Sequence, residues 1–340
     1  MSEFSASLKK ISEDPRLDGA TVREDEQGFV FTVYHHEITP SMVEVFTDYR
    51  GYGYVLGEGA TRRSRVLDGW PPRFVSLSAG EPADEKIINQ LLSVEELILG
   101  EDLSQSIHLG DLRRLHYLKL LGPHKGLTGV FDKKSLRDFT AIHMEERLLD
   151  DLSNHTSLQK LYLQHSKIKD FSSLGHLTNL RFLNVAFMRG VSDFSWVANC
   201  TQLEELWIEY NGPIEDTSFL RSLPKLKRLR MQNVTSNTIF EDLSEIPSLA
   251  RFTVVAQQKR DTPAVPISLE CFANHPALIA AVIDGPWNIE SVVPLATCQN
   301  MCLVYVGGTR SQIGDNTIDR LKTLPNIRSV KVPGRRVWEP

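Results

Sequence analysis

Long apolar runs are missing from this chain. No stretch approaches the ~18 apolar residues that a membrane-spanning helix requires. The opening segment, MSEFSASLKKISEDPRL, holds no apolar core of signal-peptide length. Cysteine is scarce: Cys200, Cys271, Cys298 and Cys302 are the four present, and they form no disulfide-dense pattern. These absences argue against a disulfide scaffold and a helical membrane protein, and they set a reducing cytoplasm as the expected compartment. An excess of one charge is lacking too. A formal net charge of −5 in 340 residues argues neither for nucleic acid nor for an anionic membrane as a partner.

Catalytic motifs are equally thin. His35-His36-Glu37 lacks the second histidine that a H-E-x-x-H zinc site needs, and it sits in a strand-like stretch. Gly51-x-Gly53 with Gly57 and Gly59 misses the dinucleotide spacing and reads as a tight turn. Cys298-x-x-x-Cys302 has no second pair, so both thiols are expected to be inert and buried.

What the chain does have is a period. Leu158, Leu161 and Leu163 form L-x-x-L-x-L, and the code returns at Leu180, Leu183 and Val185. It returns again at Leu203, Leu206 and Ile208, and at Leu226, Leu229 and Met231. Leu161 and Leu163 alternate with Lys160, Tyr162 and Gln164, the period of a strand with one buried face. Downstream, Ile168, Phe171, Leu174, Leu177 and Leu180 recur every three residues, which suits short 3-10 segments laid behind the strand. One such unit cannot bury its own apolar face, so copies must stack.

The code extends in both directions from this block. Upstream it predicts strand cores at Val75 and Leu77, Leu97 and Leu99, Leu118 and Leu120, and Phe139 and Ala141. Downstream the cores are Phe252 with Val254, Ala281 with Ile283, Val304 with Val306, and Val330 with Val332, giving about twelve rungs. Residues 72–332 are therefore expected to form one repeat array and 333–340 a tail carrying Trp338. Residues 1–71 are expected to cap the first coil, opening with a polar segment and continuing as strands broken at Pro40 and the glycines. The stretch KRDTPAVP, residues 259–266, reads as a loop on the rim.

This pattern resembles the leucine-rich repeat family in its short, internalin-like form. The resemblance implies an α/β fold, a right-handed horseshoe solenoid whose concave parallel sheet binds another macromolecule, usually a protein. The consensus asparagine, which bonds backbone groups between coils, is matched by Asn211 alone in the clear block; Ser166, Met188 and Val234 hold the other places.

In such a fold, equal offsets on successive strands form columns across the exposed face. One column reads Ile98, Lys119, Thr140, Tyr162, Asn184, Trp207, Arg230 and Thr253. Its neighbours hold Lys160, Phe182, Glu205, Arg228 and Arg251 on one side, and Gln164, Ala186, Glu209 and Gln232 on the other. Tyr162, Phe182 and Trp207 thus face outward from consecutive rungs, and exposed aromatics beside arginine are what interface hot spots are made of. Packing of these rings on each other is the competing reading, and Glu205 with Arg228 is expected to form an internal surface ion pair. At the strand ends His143, His165, Phe187 and Tyr210 form a further column, read as stacked rings on a rim, because two histidines are too few for a zinc site.

The expected function is non-enzymatic binding of a protein partner, with no cofactor or metal, by a chain that is monomeric when free. The partner-binding residues are expected to be Lys160, Tyr162, Phe182, Glu205, Trp207, Glu209, Tyr210, Arg228 and Arg230. A bacterial inhibitor or toxin-neutralising protein is the narrower expectation, and a delivered effector that binds host proteins fits the same residues. An enzyme with a site in residues 1–71 and a nucleic-acid binder are the readings from other classes.

Overall fold

The computed structural model describes residues 3–18, 20–25, 27–33, 38–49, 51–56, 72–77, 92–100, 107–132, 134–257, 264–308, 312–313 and 318–332. His35-His36-Glu37, Gly57, Gly59, residues 259–263 and the tail with Trp338 lie outside them. The chain divides into two compact units, Met1–Asp151 and Leu152–Pro340.

The first unit opens with α1 (Glu3–Ser12) and then β1 (Ala20–Asp25) and β2 (Gly28–Val33), which pair antiparallel. The segment Pro40–Asp48 corrects the sequence reading, which made it a strand: it is a helix, α2. Pro40 fills a first-turn position where no backbone donor is needed, and the Thr39 side chain accepts from Met42 N. The helix buries Met42, Val45 and Phe46 on one face, and the Phe46 ring meets Phe31 at 4.2 Å. Next come β3 (Gly51–Leu56), β4 (Phe74–Leu77), β5 (Glu96–Leu99), β6 (Ile107–His108), β7 (Tyr117–Leu120), β8 (Leu127–Thr128) and β9 (Asp138–Ile142), and the division between the units falls within α3 (Arg147–Ser153).

β2, β3, β4, β5, β7 and β9 form one parallel ladder, with Val75, Leu97, Leu118 and Phe139 in register. These four residues and their partners Leu77, Leu99, Leu120 and Ala141 are all buried, as the code predicts. The ladder also reaches two strands upstream of residue 72. There Val30, Tyr52 and Phe74 make a small buried cluster with Val55 and Ile98, opposite the core face that holds Phe31 and Val33.

The second unit repeats the plan more regularly. Its sheet strands are β10 (Lys160–Gln164), β11 (Phe182–Ala186), β12 (Glu205–Glu209), β13 (Arg228–Val234) and β14 (Arg251–Ala256). Behind the first of these run 3-10 turns at Ser172–His176, Ser195–Asn199 and Ser218–Ser222, and α4 (Ile239–Ser244) replaces the next. Each 3-10 turn is opened by an aspartate two residues ahead. Asp170, Asp193 and Asp216 accept from the backbone N–H of Ser172, Ser195 and Ser218 at 2.8, 2.8 and 2.9 Å. Those bonds hold the Asp170 and Asp216 carboxyls below the ordinary carboxylate value.

Beyond β14 the coils lengthen. β15 (Val265–Ile267), β17 (Trp287–Ile289) and β19 (Gln312–Ile313) form a second, three-stranded parallel ladder, while β16 (Ala280–Asp284), β18 (Leu303–Gly307) and β20 (Ser329–Lys331) continue the main sheet; α5 spans Ile318–Lys322. Val265 and Pro266 are therefore strand, not loop as the sequence suggested. Proline is tolerated there because β15 is the edge of its ladder.

Candidate functional site

Parallel pairing in register turns the spacing of the code into columns. Lys160, Phe182, Glu205 and Arg228 are successive partners across β10 to β13, as are Tyr162, Asn184, Trp207 and Arg230. Leu161, Leu163, Leu183, Val185, Leu206, Ile208, Leu229 and Met231 point the other way and are buried. The nine expected site residues accordingly lie on or beside one strand face, with Tyr210 one residue past the end of β12.

The rings do not stand apart in solvent. Tyr162 and Phe182 approach to 4.4 Å between centroids, and Phe182 meets Trp207 edge-on at 5.3 Å, so all three are half-buried against each other. Asn184, between Tyr162 and Trp207 in the column, is only 3% exposed and accepts a hydrogen bond from Gln164. The charges close on themselves as well. Arg228 Nε lies 3.2 Å from Glu205, Arg230 Nε lies 2.5 Å from Glu209, and Gln232 also donates to Glu209. Glu204 sits just outside the strand, hydrogen-bonded by Lys227 at 2.7 Å, which lowers its pKa. Lys160 is exposed at the edge of this patch.

The rim column has a property that the sequence hides. His143, His165, Phe187, Tyr210 and Asn233 all have φ between 55° and 61°. Histidine and asparagine tolerate this left-handed backbone better than bulky residues, for which it is strained. Phe187 and Tyr210 occupy it while stacked: His165 on Phe187 at 4.6 Å and 5°, and Phe187 on Tyr210 at 4.6 Å and 7°. The outer edges of that stack stay open, with Phe187 40% and Tyr210 53% exposed. Asn211, next in line, turns inward. Its side chain accepts from Met188 N at 2.8 Å and donates to Val185 O at 2.9 Å, joining its coil to the one before.

No protein-family model and no curated protein matches the sequence. Among solved structures the chain is similar to an internalin of Listeria monocytogenes, at 15% identity and a TM-score of 0.55 over 90% of this chain and 87% of that one. It is similar to a leucine-rich repeat protein of Leptospira interrogans at 13% identity and a TM-score of 0.57, over 98% of this chain and 95% of that one. A chain of the Drosophila Toll–Spatzle complex aligns at 12% identity and a TM-score of 0.53, over 93% of this chain and 48% of that one. This is a leucine-rich repeat solenoid.

Within the leucine-rich repeat frame, the sequence columns stop short of one feature. The exposed column runs on past Thr253 to Val282, Tyr305 and Lys331. Apolar residues at outward positions of those last strands were the available signal; lengthening coils blurred the period there. Among the described residues no group of three His, Cys, Asp or Glu side chains is placed to hold a metal ion, and no helix is long and apolar enough to cross a membrane. Cys200, Cys271, Cys298 and Cys302 are free; Cys200 and Cys298 are buried, which pushes the Cys200 thiol up to about 12 and raises that of Cys298, whereas Cys302, expected to be buried too, is only partly covered just ahead of β18.

Proposed function

We propose that this protein is a non-enzymatic, protein-binding scaffold that engages its partner through the outer strand face of β10 to β13. The observation that carries the reading is the aromatic run from Tyr162 through Phe182 and Trp207 to the open edges of Phe187 and Tyr210. Rings already packed in place bind at low entropic cost, and paired charges beside them can exclude water around a central anchor. Lys160, Glu205, Glu209, Arg228 and Arg230 are the rim of that patch. The similar Drosophila chain is described in a complex with another protein, which supports a protein as the partner class.

Internal pairing of Arg228 and Arg230 removes the main support for a nucleic-acid surface. Within the protein-binding reading, the uneven coils after β14 suit a surface tailored to one partner, as an inhibitor or toxin-neutralising protein requires. Assaying a captured partner's activity with and without this protein checks that narrower role.

The direct experiment is Trp207→Ala. Truncating a central anchor is expected to weaken capture of the native partner by about 2 kcal/mol or more. Stability should fall by only about 0.5–1.5 kcal/mol, the value of an aromatic pair, not the ~3–5 kcal/mol of a core aromatic. A variant that folds normally and captures the same partner equally well would move the binding surface off this face.

A further inference from the structure

The outer strand face changes character after β13. Over β12 and β13 each acid has an arginine partner. Over β14, β16, β18 and β20 the same face becomes an open cavity of about 350 Å³, lined chiefly by Val255, Val282, Asp284, Leu303, Tyr305 and Lys331. Register sets its walls. Val282 pairs with Tyr305, and Tyr305 with Lys331; Val255 pairs with Asp284, and Asp284 with Gly307. Lys331 Nζ rests over the Tyr305 ring at 4.9 Å. That ring lies across Gly307, where an added Cβ would stand 2.4 Å from Tyr305 Cε1. Glycine at 307 therefore lets the ring fold down and open the floor above Val282 and Leu303.

Asp284 is the unmatched group. Its Oδ1 is shut off from solvent and has no hydrogen-bond partner among the described residues, and its carboxylate enters no ion pair there, unlike Glu205 and Glu209. A carboxylate oxygen left without a donor is costly, and a charged donor repays that cost best. The floor beside it is aliphatic. An apolar ligand would cover Val282 and Leu303 but desolvate Asp284 further, and an anion would meet its charge, while the Lys331 ammonium in the same lining is held over the Tyr305 ring. A long stem ending in a cation satisfies both surfaces, since basic side chains lay their methylenes on apolar ground and keep the charged head on a polar partner.

We infer that this cavity receives a basic side chain of the partner protein, arginine in preference to lysine. The stem lies on Val255, Val282 and Leu303, and a turn of the Asp284 side chain brings its closed-off Oδ1 out to the guanidinium, whose planar fork then matches both carboxylate oxygens better than a point-charge ammonium. The inference rests on the reading of the strand face as a protein-binding surface, and adds to its aromatic patch a pocket whose charged lining is Asp284 and Lys331.

The test uses the full chain and no partner. Methyl-labelled protein is titrated with n-butylguanidinium, n-butylammonium, n-pentanol and butyrate, following the Val255, Val282 and Leu303 methyl resonances. Saturable shifts are expected with the guanidinium, more weakly with the ammonium, and about tenfold more weakly with the alcohol, the ratio a charged hydrogen bond confers. Butyrate should produce none. Asp284→Asn should reduce guanidinium binding to the alcohol's level. Should Asp284→Asn fail to fold, the cation-to-alcohol ratio on the native chain decides alone. No saturable shift, equal affinity for cation and alcohol, or full binding by folded Asp284→Asn each overturns the pocket. Such a failure leaves the strand-face reading to the Trp207→Ala capture experiment, and a failure of that experiment leaves the probe result standing.

Discussion

Asn211 shows how much one side chain can hold in a repeat coil. It is buried, 6% exposed, and serves a backbone donor of Met188 and a backbone acceptor of Val185 on the coil before. Asn211→Ala leaves both groups buried and unserved, at about 1–3 kcal/mol each. A loss of about 2–4 kcal/mol is expected, read as a lower denaturant midpoint with an unchanged slope. Where the consensus asparagine is absent, other contacts take its place. Ser166 Oγ accepts from Ile168 N, Ser166 N approaches Met188 Sδ at 3.2 Å, and Val234 pairs with Ile214 in an isolated bridge. His275 gives a prediction with a sign. Its Nε2 donates to Ile246 O, its Nδ1 is buried without a hydrogen-bond partner among the described residues, and burial lowers its pKa from the ordinary 6.5. Above pH 6.5 neither folded nor unfolded chain protonates this ring, so its contribution is complete. As pH falls below 6.5 the unfolded chain takes a proton that the folded one refuses, and stability declines until the folded pKa is passed. His275→Gln should flatten the stability-against-pH curve in that window; equal slopes for the two proteins would show that another group carries it.

At the scale of elements, the strand cores were legible because every rung repeats the same alternation over a period of roughly 20 residues. Helix α2 was not. Its residues, PSMVEVFTD, are rich in the β-branched and aromatic types that also build strands, and it is the Thr39 cap, Pro40 and the fit of Phe46 against Phe31 that decide for a helix. The edge strand at Val265 was hidden for a related reason. Among the described residues its ladder partner is Trp287–Ile289, which lies a full coil away in sequence. These elements also bear on the beginning of the ladder. Removing residues 1–71 strips β3 from β4, freeing the backbone edge at Gly53↔Phe74 and exposing the buried Phe74 and Val75. Aggregation or a loss of cooperative unfolding is expected, because an uncapped repeat leaves its core open. A shortened chain that stays monodisperse by light scattering and melts in one sharp transition would make residues 1–71 a separate module.

For the whole molecule, a net charge of −5 and arginines matched to glutamates on the patch lead to a weak salt dependence of partner capture. Raising salt from about 50 to about 200 mM should leave most of the captured partner on the bait, whereas a set of phosphate contacts would lose about 10³–10⁵ in affinity over that range. A steep loss would reopen the nucleic-acid reading. What the chain settles by itself is which residues face inward and which face out. That choice depends only on alternation within a strand and on a repeat length that stacks equal offsets, so Leu161, Leu206 and Trp207 take their sides from local pattern alone. What the outward residues then do with each other is decided only in three dimensions. Tyr162 packs diagonally on Phe182, Phe187 and Tyr210 hold a strained backbone while stacked, and Arg228 and Arg230 find their acids one strand away. Among the described residues Asp284 finds no cation partner; its register neighbours are Val255 and Gly307, more than twenty residues off in either direction. Such contacts arise from lateral pairing between coils, a distance that no local pattern in the sequence records.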